Sequence, residues 1–226
     1  FRSRIELNSA LHLGGLTPSL ASLKMTKANT NLTVICMVRP RGAGFCYSKS
    51  EYRQMLIEAK DLLETGADGL AFGFLHENHE IDVERTRKMV ELCKKYHKTA
   101  VFHRAFDCVN DPYKSIEILI DLGVDRLLTS GLKAKAMDGI ELIKELQAKY
   151  GDKIEILAGS GVNASNAKEI VEIAKINQIH SSCKDWRTDP TTSGKDVNYC
   201  YGPETHQNDY DVVSLDLVKK LVKLGL

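Results

Sequence analysis

The feature that most constrains this chain is its steady alternation of short β-branched or apolar runs with longer stretches of helical period. Strand windows read at Arg4–Leu7, Thr33–Val38, Gly69–Leu75, Thr99–Phe102, Arg126–Thr129, Ile154–Leu157 and Gln178–Ser181. Between them lie helix-period segments at Glu51–Glu64, Val83–Tyr96, Pro112–Leu122, Ala136–Tyr150 and Ala164–Ile176. Ser50, Asp82 and either Asn163 or Ser165 stand where N-caps belong, and Gly66, Gly123 and Gly151 follow helices as C′ glycines. The segments Thr65–Gly73 (TGADGLAFG) and Leu122–Gly131 (LGVDRLLTSG) form a weak repeat of helix end, Gly, apolar residue, Asp, strand, Gly. Such alternation with short connections predicts parallel strands joined by right-handed crossovers.

Two closures satisfy that pattern, a doubly wound open sheet and a TIM (β/α)8 barrel. Polar side chains gather at the C-terminal ends of nearly every strand window: Glu6, Arg39, Arg41, His103, Arg104, Asp107, Thr129, Ser130 and His180. Barrel enzymes build their sites at that rim, whereas an open sheet concentrates function at one switch point. The first strand window is followed by no GxGxxG, and Gly42–Ser48 (GAGFCYS) lacks the third glycine. The barrel is therefore expected, as a single domain over residues 1–226. Because seven strand windows are visible, one βα unit is expected to precede Phe1, with a seven-stranded barrel as the alternative. The polar stretch 184–211 is expected to be a long mobile loop or lid over the rim, packed down by Trp186, Tyr199 and Tyr201. A last helix is expected over Leu215–Leu224, started by Ser214 or Asp216.

Charge narrows the partners. Lys and Arg total 31 against 30 Asp and Glu, a formal net charge of +1, which gives no electrostatic reason for a nucleic acid or an anionic membrane. No uncharged apolar run reaches the ~18 residues of a spanning helix, and the opening Phe1-Arg2-Ser3-Arg4 carries no apolar signal region. The six cysteines, Cys36, Cys46, Cys93, Cys108, Cys183 and Cys200, include no CxxC pair. They read as reduced thiols of a cytosolic protein, with neither disulfides nor a zinc finger.

Three stretches carry chemistry. Cys36–Gly42 (CMVRPRG) ends a strand with Arg39 and Arg41, planar forks for a carboxylate or phosphate, separated by the rigid Pro40. The bland reading has one of them merely pairing with a rim acid such as Glu6. Val101–Asp107 (VFHRAFD) brings His103, Arg104 and Asp107 to one strand end. His103 is the natural general acid/base at neutral pH. By strand alternation His103 and Arg104 point to opposite faces, so at most one lies squarely in the mouth. Asp107 reads as a catalytic group or as a cap for the following segment. Ala158–Asn166 (AGSGVNASN) follows a strand and opens a helix. Gly159, Ser160 and Gly161 suit close backbone approach to an anion at the helix start, with Arg39 or Arg41, Ser130 and His180 completing the site. The pair His76 and His79 (HENH) reads as a solvated loop rather than a metal site.

Together, RIEL with GGLTPS, MVRPRG, GADGLAFGFL, FHRAFD, LGVDRLLTSG, AGSGV and IHSS run in order from Arg4 to about Ser182. In this the chain resembles the CutC family of copper homeostasis proteins. The resemblance implies a (β/α)8 barrel whose first strand and helix are absent here, a cytoplasmic location, a homo-oligomer (dimer or tetramer) and a link to copper tolerance. Copper is thereby implied as a cofactor, with no residue assigned to it. The family commonly has Cys where this chain has Asn8, and the other cysteine proposed for copper in some relatives lies on the absent strand. Two functions follow as expectations. One is a cytoplasmic copper homeostasis protein that binds copper or acts in its trafficking. The other is a barrel enzyme for a phosphorylated or carboxylated small molecule, with Glu6 or His103 moving protons.

Overall fold

The computed structural model describes residues 4–225. Seven parallel strands pair in chain order: β1 (Arg4–Leu7), β2 (Thr33–Met37), β3 (Gly69–Phe72), β4 (Thr99–Phe102), β5 (Arg126–Thr129), β6 (Glu155–Gly159) and β7 (Ile179–His180). Helices α1 (Leu20–Asn29), α2 (Lys49–Thr65), α3 (Val83–Lys95), α4 (Pro112–Leu122), α5 (Ile140–Tyr150) and α6 (Ala167–Ala174) follow the first six strands in turn. The architecture is α/β, a TIM-barrel-type sheet. It curls far enough that side chains of its two end strands meet. Arg4 hydrogen-bonds Gln178, and Glu6 Oε1 lies 3.8 Å from His180 Nε2. Among the described residues β1 and β7 share no backbone ladder, which leaves a seam between them.

Strand periodicity sorts the core into two shells. Val34, Cys36, Leu70, Phe72, Ala100 and Phe102 belong to the large layer between sheet and helices, where Phe72, Phe74, Phe102 and Phe106 are fully buried. Burial of each such ring contributes roughly 1.5–3 kcal/mol. The alternating residues Ile35, Met37, Ala71 and Val101 form a separate small cluster inside the curl. Ile5, Leu7 and Ile179 pack on the outer layer, so Glu6 and His180 face inward. One further step along the same alternation puts Arg39 and His103 at the top of the interior.

The repeat has a physical reason. Asp68 and Asp125 stand in equivalent αβ turns, and each carboxylate takes the backbone N–H of the second residue of the preceding strand, Val34 at 2.9 Å and Ala100 at 2.7 Å. The backbone of each also bridges that strand to the next: Asp68 N–H donates to Val34 O, and Asp68 O accepts from Thr99 N–H. Gly66 and Gly123 are left-handed, at φ 107° and 77°, as C′ glycines. Gly151 is not: its φ is −64°, and glycine suits the position because a Cβ would lie 2.6 Å from the backbone oxygen of Gln147.

Several boundaries move for local reasons. Ser48, not Ser50, caps α2, because Ser48 and Glu51 form a reciprocal capping box. The strand expected to Leu75 ends at Phe72, since Gly73 yields to the packing of His103. Helix α5 starts at Ile140 because residues 136–139 are turns, and α6 starts at Ala167 after an Asn163–Asn166 turn. Helix α1, capped by Ser19, was hidden by a weak apolar stripe, only Leu23 being buried.

The stretch after Lys184 is not an irregular loop. Strand β8 (Lys184–Thr188) pairs antiparallel with β9 (Asp209–Val213), and α7 (Leu215–Val222) follows. Trp186 stacks on His206 at 4.5 Å and Tyr201 packs at a tilt against His12 at 4.3 Å, while Tyr199 stays 78% exposed and packs nothing down. Among the described residues no helix is long and apolar enough to cross a membrane.

Candidate functional site

A cavity of about 590 Å³ opens at the C-terminal ends of the strands. Its floor and walls come from Glu6 in β1 and Asn8 just after it, Met37 at the end of β2 and Arg39 beyond it, and His103 and Arg104 after β4. The Ser160–Ala164 loop, the Ser181–Lys184 turn and His180 complete one side, and Leu217 and Leu221 of α7 lie over it.

Arg39 is buried, 6% exposed. Its guanidinium donates to the backbone carbonyls of Leu13 (2.8 Å), Gly15 (3.2 Å) and Ala43 (2.6 Å). It also lies over the Phe45 ring, 5.2 Å from the centroid. Among the described residues it pairs with no carboxylate, and its Nε–H has no partner. A full positive charge is thus fixed in a buried place without a counter-charge, an arrangement that favours an incoming anion.

His103 is 3% exposed and packs 5.0 Å from Phe45, centroid to centroid. Its Nδ1 accepts the Ala105 N–H at 3.1 Å. Burial first, then the Arg39 and Arg104 charges, push its pKa down to about 3. The ring is therefore neutral, the hydrogen sits on Nε2, and that donor is unpartnered. The expectation of a neutral-pH acid/base changes accordingly, because a ring that stays neutral to about pH 3 acts as a fixed donor. Gly73 makes its seat, since a Cβ there would stand 2.6 Å from His103 Cε1.

His103 and Arg104 do not point to opposite faces, because the strand stops at Phe102 and residues 104–108 turn into a 3-10 helix. Both line the cavity. Asp107 does not line it. Its carboxylate accepts from Arg104 Nε (2.7 Å), Thr129 Oγ1 (2.6 Å), Ser130 N and Oγ (2.9 and 2.8 Å) and Leu132 N (3.3 Å). Asp107 thus rivets the β4–α4 connection to the end of β5, and Ser130 is consumed in the same network rather than facing the mouth. Arg41 likewise turns away, with Nε 2.5 Å from Glu51 and further bonds to the carbonyls of Gly42, Gly44 and Cys46. The sequence had suggested Glu6 as an arginine's rim partner, but Glu6 faces His180 instead. Gly159 lies beneath the mouth, where a Cβ would meet Leu128 at 2.6 Å. So Glu6, Arg39, His103, Arg104, Ser160, Gly161 and His180 share one cavity, and Arg41, Asp107, Ser130 and Gly159 support it from outside.

The Ser160–Ala164 loop carries backbone chemistry. Ser160, at φ 80°, and Gly161, at φ 69°, are both left-handed, and for a serine that geometry costs of order 1–3 kcal/mol. The Ser160 hydroxyl is tied to Ala134 O at 2.7 Å. Among the described residues the N–H groups of Gly161, Val162 and Ala164 donate to no protein acceptor, while Asn163 and Ser165 donate to side chains of the turn itself. Cys183, at φ 44°, borders the cavity from the opposite turn. The sequence offered no signal for Phe45, and it marked Asn8 only as the position where the CutC family commonly has Cys. Leu217 and Leu221, four residues apart on α7, were legible only as an amphipathic stripe.

The His76–His79 segment is a turn, with His76 N–H bonded to Glu80 O and His79 Nδ1 2.8 Å from Cys108 O. Among the described residues no group of three His, Cys, Asp or Glu side chains is placed to hold a metal ion. Their six cysteines are all free, and burial raises the Cys36 and Cys93 thiols to about 12.

Comparison with known proteins gives a consistent result. The family model described as CutC family matches residues 2–185. A family protein CutC of Treponema denticola is 44% identical, covering 98% of this chain and 89% of its own length. A copper homeostasis protein cutC homolog of Mus musculus is 36% identical, covering 96% and 78%. The crystal structure of the CutC protein of Streptococcus agalactiae superposes with a TM-score of 0.74 at 34% identity, covering 79% of this chain and 87% of that one. A deoxyribose phosphate aldolase from Aeropyrum pernix, at 18% identity and TM-score 0.57, shares the fold.

Proposed function

We infer the function from one premise: this chain belongs to the CutC family. On that premise it is a copper homeostasis protein, as its mouse relative is named, working in the cytoplasm as a homo-oligomer. We further propose that it acts there by binding a small anionic molecule, phosphorylated or carboxylated, in the barrel mouth. One observation carries this reading: a buried guanidinium with no carboxylate, next to a neutral buried imidazole, each with an N–H that meets no acceptor. Buried donors are normally paired, and leaving one unpaired costs about 1–3 kcal/mol. An oxyanion supplies what both lack, and the unpaired N–H groups of Gly161, Val162 and Ala164 offer a second anchor.

Direct copper binding is the competing reading, and the residues present suit it poorly. Cu(I) prefers soft thiolate and thioether donors. The mouth offers one thiol, Cys183, and one thioether, Met37. His103 cannot ligate through Nε2 while Nδ1 accepts the Ala105 N–H. Its part in copper homeostasis then runs through the bound small molecule, with copper at most a passing cargo.

The test is a calorimetric titration of inorganic phosphate and of malonate at low salt. Wild type should saturate at ~1 mM or below, and His103→Gln should weaken binding about tenfold. Arg39→Ala is the poorer probe, because it also releases the Leu13, Gly15 and Ala43 carbonyls. Absence of saturable binding to wild type by either anion would end this reading. Stoichiometric Cu(I) retained against a chelator would restore the copper one.

A further inference from the structure

The mouth holds more than an anion needs. In the same cavity as the two unpaired donors, Glu6 and His180 face inward from the end strands, 3.8 Å apart, with side chains 9% and 30% exposed. A site meant only to hold an anion has no use for a carboxylate in its wall, since like charge repels the ligand. A carboxylate set against fixed, neutral or cationic donors is instead the layout for proton abstraction next to a carbonyl. The base removes a proton from carbon while the donors take the charge that develops on oxygen.

We propose that the mouth is the active site of an isomerase for small α-hydroxycarbonyl phosphates; this rests on the anion-binding reading above. The phosphate lies on the Gly161–Ala164 backbone. Glu6, partnered by His180, takes the proton from the carbon bearing the hydroxyl. The C–H electron pair becomes the C=C bond of an enediolate, and the former carbonyl oxygen carries the negative charge. His103 Nε2–H and Arg39 Nε–H hold that oxygen. The proton returns from Glu6 to the neighbouring carbon as the carbonyl re-forms on the adjacent oxygen, whose hydroxyl proton passes to the enediolate oxygen. Atoms and electrons balance without oxidant, reductant or metal. A neutral imidazole suits the donor role, because an imidazolium would surrender its proton in place of sharing it. Among the described residues Lys184 is the one lysine lining the cavity, and it lies at the rim on β8, away from the strand interior where a Schiff-base lysine would attack. A cavity of about 590 Å³ accommodates a three- to six-carbon phosphate and the water it displaces.

The experiment is deuterium exchange followed by proton NMR. Full-length protein in D2O is incubated with dihydroxyacetone phosphate, ribose 5-phosphate and glucose 6-phosphate, and inorganic phosphate binding is measured alongside. Wild type should wash deuterium into the carbon next to the carbonyl of at least one of them. Glu6→Gln should lower that rate at least ~100-fold while still binding phosphate, and His103→Gln should lower it ~10- to 100-fold. Because Glu6 sits at the seam, circular dichroism checks that Glu6→Gln is folded, and His180→Asn serves as the second variant, expected to lose ~10-fold. Phosphate binding by wild type with no exchange on any of the three compounds would overturn the isomerase and leave the anion site standing. Undiminished exchange in Glu6→Gln would also overturn it. Failure of both binding and exchange would overturn both readings.

Discussion

His103 owes its character to its neighbours. Gly73 gives it room, Ala105 occupies its Nδ1, and burial first, then the Arg39 charge, keep it from gaining a charge. Gly73→Ala should therefore cost ~1–3 kcal/mol, by forcing a methyl to 2.6 Å from the ring carbon, and should weaken anion binding with it. Urea midpoints and a phosphate titration measure the two effects. The same ring gives a signed pH dependence. It titrates near 6.5 in the unfolded chain and near 3 when folded. Between those values the unfolded state binds a proton that the native state refuses. Stability therefore falls as pH drops from about 6.5 toward 3, at up to ~1.4 kcal/mol per unit, and is unaffected by this group above that window. His103→Gln should flatten that part of a stability-against-pH curve. An unchanged slope would assign the acid sensitivity to other groups.

At the scale of elements, the connection from β4 to α4 depends on a single carboxylate. Asp107 collects side-chain and backbone donors from Arg104, Thr129, Ser130 and Leu132, and among the described residues no second acid shares the task. Asp107→Ala strands those donors and should destabilise by ~3 kcal/mol or more, loosening the 3-10 turn that presents Arg104. A thermal melt, with hydrogen exchange at residues 104–108, would show it. Asp107→Asn, which keeps half the acceptors, should fall between. These residues also mark how far the sequence could be read. Strand and helix order were legible because period-2 and period-3.6 patterns record local burial. The rim position of Glu6, Arg39, His103 and His180 was legible because strand ends are local too. What Asp107 touches was not, because it depends on the end of β5 brought back from more than twenty positions away; Arg41 finds its partners close by, but they are loop carbonyls and a capping-box carboxylate that leave no mark in residue pattern. The β8–β9 hairpin was missed for a related reason. Its pairing joins residues far apart, Thr188 with Asp209, through exposed side chains that carry no apolar alternation.

At the scale of the molecule, α7 is an added cover rather than a barrel helix. None of its residues is buried, yet Leu217 and Leu221 roof the cavity. Replacing both by Ala should cost less than ~2 kcal/mol in total and leave the rest of the fold unchanged, while opening the mouth. A loss above ~4 kcal/mol in a urea titration would make α7 part of the core. Strand order gives a different consequence, for how the chain comes to be folded at all. Each strand of the main sheet pairs only with its predecessor and successor in sequence, so every backbone ladder closes over one βα unit. A chain emerging from the ribosome can dock each new unit on the last, with no wait for distant partners and no long strand left exposed. The seam alone requires both ends, Arg4 meeting Gln178 across 174 positions. The wall holding Glu6 and His180 is therefore the last part of the mouth to assemble, formed only once β7 has joined the sheet.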